Sequence, residues 1–177
     1  MQTPSDGSIA ARISSSMGNA TVREFGRVQD LWSGYGAIYR VHLDGDCPST
    51  VVVKHVAPPN RRSHPRGWNS DISHRRKLRS YDIEKAWYQN FAFQCGEACR
   101  VPTLLAESGT DTDWLFVFED LDAAGFSARR HHLAPDEIHA CLSWLASFHA
   151  TFMNVAPAGL WPVGTYWHLA TRPEEFD

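Results

Sequence analysis

The sequence predicts an α+β fold: an antiparallel sheet with one helix, followed by the first helix of an incomplete helical lobe. Three observations predict it. Strand-like runs bounded by turn clusters fill residues 22–54 and return at 103–118. Between them, Ile83, Trp87 and Phe91 line up on one helical face with Ala86 beside them. After Gly125 the strand signals cease, and Ile138, Leu142, Leu145, Phe148 and Phe152 recur at helical spacing behind a first turn of Pro135, Asp136 and Glu137.

In chain order, residues 1–21 are small and polar with one weakly apolar patch, Ile9 to Ile13. They are expected to form a flexible N-terminus or a lead-in helix. Val22 to Trp32 reads as the first strand, although Phe25, Val28 and Leu31 keep no clean period. Ala37 to Leu43 alternates as a second strand, and Asp44, Gly45 and Asp46 make a turn. Thr50 to Val53 is a β-branched run that ends on Lys54. Ala57 to Arg79 loses periodicity and is punctuated by Pro58, Pro59, Pro65 and Gly67, which predicts an irregular segment, and Ser80 is expected to open the first long helix. Two short strands follow, Thr103 to Glu107 and Trp114 to Phe118, about the turn-rich Ser108 to Asp113. The expected organisation is a terminal segment 1–21, a sheet lobe with its hinge at 22–122, and the start of a helical lobe at 123–177.

Chemistry concentrates in residues 31–54. Gly34 and Gly36 interrupt a strand-like run and are expected in a hairpin. Lys54 is one of only three lysines against 14 arginines, and at the end of a buried-looking strand its charge needs an anionic partner. Glycines that let backbone amides approach phosphates, followed by a strand that presents a lysine, suit a nucleoside triphosphate. Gly34, Gly36 and Val41 fit G-x-G-x-x-G-x-V, with Tyr39 where the third glycine would stand. A dinucleotide fingerprint would require the glycines to open a helix, and here they continue into a strand. Glu84, beside the apolar stripe of the following helix, is either an exposed acid or the partner of Lys54. The strand Trp114 to Phe118 runs into Glu119, Asp120, Leu121 and Asp122, either surface acids or a linker whose backbone can bond a base.

Composition narrows the partners. A net charge of -3 and a pI near 6.3 give no general attraction to nucleic acid or anionic membranes. No apolar run reaches membrane-spanning length and the start is not a signal peptide, so a cytoplasmic protein with no membrane partner is expected. Cys47, Cys95, Cys99 and Cys141 contain no C-x-x-C pair and are read as free thiols, and the nine histidines contain no H-E-x-x-H. Arg61, Arg62, Arg66, Arg75, Arg76, Lys77 and Arg79 face the single acid Asp71. That basic stretch is a solvated loop or a lip that attracts phosphates; with only Trp68 as a stacking platform, nucleic acid is not the expected partner.

Taken together, the glycine hairpin, VVVK ending on Lys54, the helix EKAWY from Glu84 to Tyr88, FVFEDLD from Phe116 to Asp122 and LASFHA from Leu145 to Ala150 resemble the choline kinase and aminoglycoside phosphotransferase superfamily, and within it the ecdysteroid-kinase-like branch. The resemblance implies a protein-kinase-like small lobe around an antiparallel sheet, with ATP held between it and a helical lobe. By that resemblance Gly34 and Gly36 cover the phosphates, Lys54 binds them, Glu84 orients Lys54, and the backbone at Glu119 and Leu121 holds adenine. The family also needs an H-G-D-x-x-x-x-N loop and a later Asp for catalysis and Mg2+. No H-G-D occurs in this chain, so no catalytic residue is assigned and the Mg2+ ligands are expected in a missing C-terminal part.

The expected function is therefore the nucleotide-binding part of an ATP-dependent small-molecule kinase that transfers the γ-phosphate to a hydroxyl. The alternative is a non-catalytic nucleotide-binding or interaction module. In either case, apolar surface left by an absent lobe is expected to favour self-association. Thr171, Pro173 and Glu174 have the form of a helix start with only three residues behind it, which is read as a chain meant to continue.

Overall fold

The computed structural model describes residues 6–58, 71–110, 113–163 and 168. The described residues form an α+β structure with a five-stranded antiparallel sheet and three α-helices. The chain divides into two compact units, one of residues 1–64 and 102–129 and the other of residues 65–101 and 130–177.

The first unit contains the sheet. Its helix α1 (Asp6–Ser16) is followed by strands β1 (Thr21–Asp30), β2 (Gly36–Asp44), β3 (Thr50–Val56), β4 (Leu104–Thr110) and β5 (Asp113–Glu119), in spatial order β1-β2-β3-β5-β4. Ile9 and Ile13, one helical turn apart, are fully buried and pack with Val41, Leu43, Val51, Val53, Leu115 and Val117. Each fully buried branched side chain contributes about 1.5–3 kcal/mol, which is why this short helix docks although little else in it is apolar. Gly18 (φ +69°) and Asn19 (φ +64°) end it in the left-handed region.

The uneven period of β1 has a structural cause, and the expected end of β3 is corrected. β1 has a register shift between Val22 and Glu24 and another between Arg27 and Gln29. A bulge changes which residues share a face, so Val22 and Phe25 both pack against the core, and the uneven period of this strand is accounted for. β3 does not end on Lys54 but continues through His55 and Val56. His55 is an interior strand position rather than the start of a loop.

The second unit is built on α2 (Asp71–Asn90) and α3 (Pro135–Thr151). α2 begins nine residues before the predicted start at Ser80. Arg75, Arg76, Lys77 and Arg79 are good helix formers, but without an apolar period they read as loop. Trp87 packs against Phe91, Phe148 and Phe152 with ring centroids 5.9, 5.5 and 5.0 Å apart. Trp144 stacks on Phe148 at 5.2 Å, and its indole N–H donates to the Arg100 carbonyl at 2.9 Å. At the start of α3, Glu137 accepts the Ala134 N–H at 2.8 Å, while Ala134 has no side-chain oxygen to return the bond. Reading the whole α3 stripe as core is corrected: Ile138, Leu142 and Leu145 are 45%, 55% and 41% exposed. Phe148 and Phe152, toward the C-terminal end of the same stripe, make the packed contacts.

Arg61, Arg62, Arg66, Trp68, Tyr166, Trp167 and the Thr171–Glu174 signal lie outside the described residues. Among the described residues, no helix is long and apolar enough to cross a membrane. The four cysteines are free thiols.

Candidate functional site

The sheet of the first unit has two chemically different faces. α1 covers the one that carries Val41, Val51, Val53, Leu115 and Val117. Strand alternation places Ile38, Lys54, Phe116 and Glu107 in one cross-strand row on the other face, with Arg40, Val52, Phe118 and Leu104 in the next. Lys54 is thus a half-buried cation on the central strand, flanked by Ile38 and the fully buried Phe116.

Gly34 and Gly36 lie in the β1–β2 connection, where a 3-10 turn, Trp32–Gly34, precedes β2. They are glycines for different reasons. Gly36 has φ +129°, and a Cβ there would lie 2.0 Å from the His55 carbonyl oxygen, so β3 itself demands the glycine. Gly34 has φ +72° with nothing within 4 Å of a Cβ position. Its backbone is the more approachable of the two.

At the far end of β5, Glu119 is tied to the entry of β4. Its N–H donates to the Thr103 carbonyl at 3.0 Å, and its carboxylate accepts the Thr103 N–H and hydroxyl at 2.8 and 2.9 Å. Asp120 is nearly buried and accepts Arg40 Nε at 2.8 Å and Nη2 at 3.0 Å; Nη2 also reaches Asp122 at 2.5 Å. Burial alone would raise the Asp120 carboxyl, but bonds from Arg40, the Asp122 N–H and Thr50 outweigh it and hold it below the ordinary carboxylate range. Arg40 and then Arg129 likewise lower Asp122, while the two acids raise Arg40. Sequence reading took these acids as surface or as a linker whose backbone can bond a base, and not as partners of Arg40. The missed signal was Arg40, a cation at an otherwise apolar strand position.

A second polar cluster sits on the α1 side. Arg12 bonds Asp113 at 2.5 Å and the Ser108 carbonyl at 3.0 Å, and Asp113 is 3.2 Å from Nε2 of His55, which is 3% exposed. Burial lowers the His55 pKa, Asp113 opposes that, and Arg12 adds to it. This cluster fastens α1 to the sheet, on the face away from Lys54.

Glu84 lies on α2 in the second unit, one turn before Tyr88. Burial first, then the charges of Glu84 and Cys95, push the Tyr88 hydroxyl up to about 12. In the first unit Gly36, Lys54 and Glu119 lie in strands of the sheet, Gly36 beside Val56 and Glu119 beside Val51 at opposite ends of β3, while Gly34 lies in the turn before β2 and Leu121 just past β5. Lys54 and Glu84, expected as partners from the sequence, lie in different units. Among the described residues no cluster of three or more His, Cys, Asp or Glu could hold a metal ion.

No protein-family model matches the chain, and no curated protein does.

Proposed function

We propose that this chain is the nucleotide-binding part of an ATP-dependent phosphotransferase of the choline kinase and aminoglycoside phosphotransferase type, working in the cytoplasm on a small molecule with a hydroxyl acceptor. The observation that carries the reading is the row Ile38–Lys54–Phe116. A lysine on the central strand between apolar neighbours supplies a point charge for phosphates, with the open Gly34 turn before its neighbouring strand and the Glu119–Leu121 backbone after the next. Glu84 is proposed to orient Lys54 by an ion pair. Purified full chain titrated calorimetrically with ATP tests the reading, with Lys54→Ala as the comparison. ATP should bind the wild type, and the variant should bind about tenfold or more weakly, as expected for loss of one charge-assisted contact. Equal affinity in both proteins would remove Lys54 from the site.

The exposed Ile138, Leu142 and Leu145 of α3 favour a second reading, an interaction module. Concentration-dependent association that Leu142→Lys abolishes, in a chain that binds no ATP, would select it.

A further inference from the structure

We propose that Cys95 and Cys99 are a redox modification site: a small-molecule disulfide converts the two thiols into an intrachain disulfide, and its closure releases Thr151 at the end of α3. The site lies wholly in the second unit and does not depend on the nucleotide reading above.

The two thiols are brought together by the turns that carry them. Ala92–Gln94 and Glu97–Cys99 are 3-10 turns joined through Cys95 and Gly96. The Cys95 N–H donates to the Ala92 carbonyl at 3.0 Å and the Cys99 N–H to the Gly96 carbonyl at 3.1 Å. Cys95 is half-buried and Cys99 is 2% exposed. Their hydrogen bonds run in one direction. Thr151 gives its hydroxyl proton to the Ser147 carbonyl at 2.9 Å, so in its 3.6 Å contact with Cys99 Sγ it accepts and the thiol donates. The Cys95 thiol in turn donates to Cys99, since the bond between them favours the protonated form of Cys95. Cys95, Cys99, Thr151 and the Ser147 carbonyl thus form a chain that ties this segment to the last turns of α3.

The surroundings set the chemistry. Burial first, then the charge of Cys99 and the bond to it, push the Cys95 thiol up to about 11. Little thiolate exists at neutral pH, and attack on an oxidant is slow. A disulfide carries no charge and escapes that burial cost, so the setting opposes closure in rate and not in equilibrium. The segment can also give. Phe91 and Cys99 are buried and the Trp144 indole holds the Arg100 carbonyl at 2.9 Å, while Phe93, Gln94, Gly96, Glu97 and Ala98 are exposed. In the reaction the Cys95 thiolate attacks a disulfide RSSR and expels RS−; deprotonated Cys99 then attacks the Cys95 sulfur and expels the second RS−. The protein thiols lose two electrons and two protons, and RSSR becomes two RSH. Cys99 no longer has the S–H that Thr151 accepts.

The experiment holds the full chain in mixtures of reduced and oxidised glutathione until composition is constant, then alkylates free thiols and digests with trypsin. Both cysteines fall in one tryptic peptide, Ala86–Arg100. That peptide should emerge two hydrogens lighter and unalkylated, and should regain two alkyl groups when dithiothreitol precedes alkylation. The equilibrium constant should exceed that of the same chain in urea by about tenfold or more, because the fold, beyond the short tether, holds the thiols together. Amide hydrogen exchange from Ser147 to Thr151 should quicken in the oxidised chain. A glutathione adduct on Cys95 beside an alkylated Cys99, a link to Cys47 or Cys141, or equal constants in folded and unfolded chains would overturn the site. Unchanged exchange at Thr151 in the oxidised chain would overturn its release from Cys99.

Discussion

Replacing Gly36 by alanine tests how the glycine turn is held. A Cβ there would lie 2.0 Å from the His55 carbonyl oxygen, 3.0 Å from its carbonyl carbon and 3.1 Å from Val56 Cα, at φ +129°. The backbone conformation alone costs an L-residue ~1–3 kcal/mol. The atoms in the way belong to the β3 backbone, so no side chain can swing aside, and moving β2 off β3 adds ~1–3 kcal/mol. The expected loss is about 4 kcal/mol, a large part of the ~5–15 kcal/mol by which domains are stable. Gly34→Ala meets nothing within 4 Å at φ +72°, so only the left-handed backbone term of ~1 kcal/mol applies. Urea unfolding of both variants, followed by tryptophan fluorescence, reads the difference as two midpoints at similar slope. Equal midpoints would mean that the β2–β3 pairing yields freely, and the assignment of Gly36 to packing and Gly34 to ligand approach would fail.

Stability should also fall below pH 6.5. His55 has a folded pKa below that value, so the unfolded chain takes up a proton that the folded chain resists; the loss begins as pH drops through 6.5 and is complete below the folded pKa. Urea midpoints from pH 8 to 5 should show this slope, and His55→Gln should flatten it; an unchanged slope would place the acid sensitivity elsewhere. On α3, Phe148→Ala should cost about 2 kcal/mol, less than a fully buried phenylalanine, because it removes ring contacts to Trp87, Trp144 and Phe152. Leu142→Ala, at a site 55% exposed, should stay within about 0.5 kcal/mol. A Leu142 loss as large as that of Phe148 would show the outer stripe to be packed.

What could be read from sequence followed the strength of local signals. Val51 to Val53 and the Pro135-Asp136-Glu137 start carry propensity, period and capping together, and the structure has a strand and a helix there. Asp71 to Arg79 carries helix propensity alone, beside a proline-rich stretch, and reads as loop. Which side of α3 is covered could not be told, because Ile138 and Phe148 look alike in a periodic pattern while only the phenylalanine meets Trp87. Lys54 was visible as a rare residue type in a strand. The Arg40–Asp120 clamp was not, since its members lie 80 residues apart and meet only when β2, β3 and β5 assemble. The structure also separates Gly34 from Gly36, two residues that one motif treats alike.

The most direct measurement is an amide chemical-shift titration of the isotopically labelled chain with ATP. The expected result is saturable shifts at Gly34, Lys54 and Leu121, with residues on the α1-covered face such as Val41 and Val53 little changed. Shifts confined to α3 around Ile138 and Leu142, or none at millimolar ATP, would contradict nucleotide binding on the Lys54 face of the sheet.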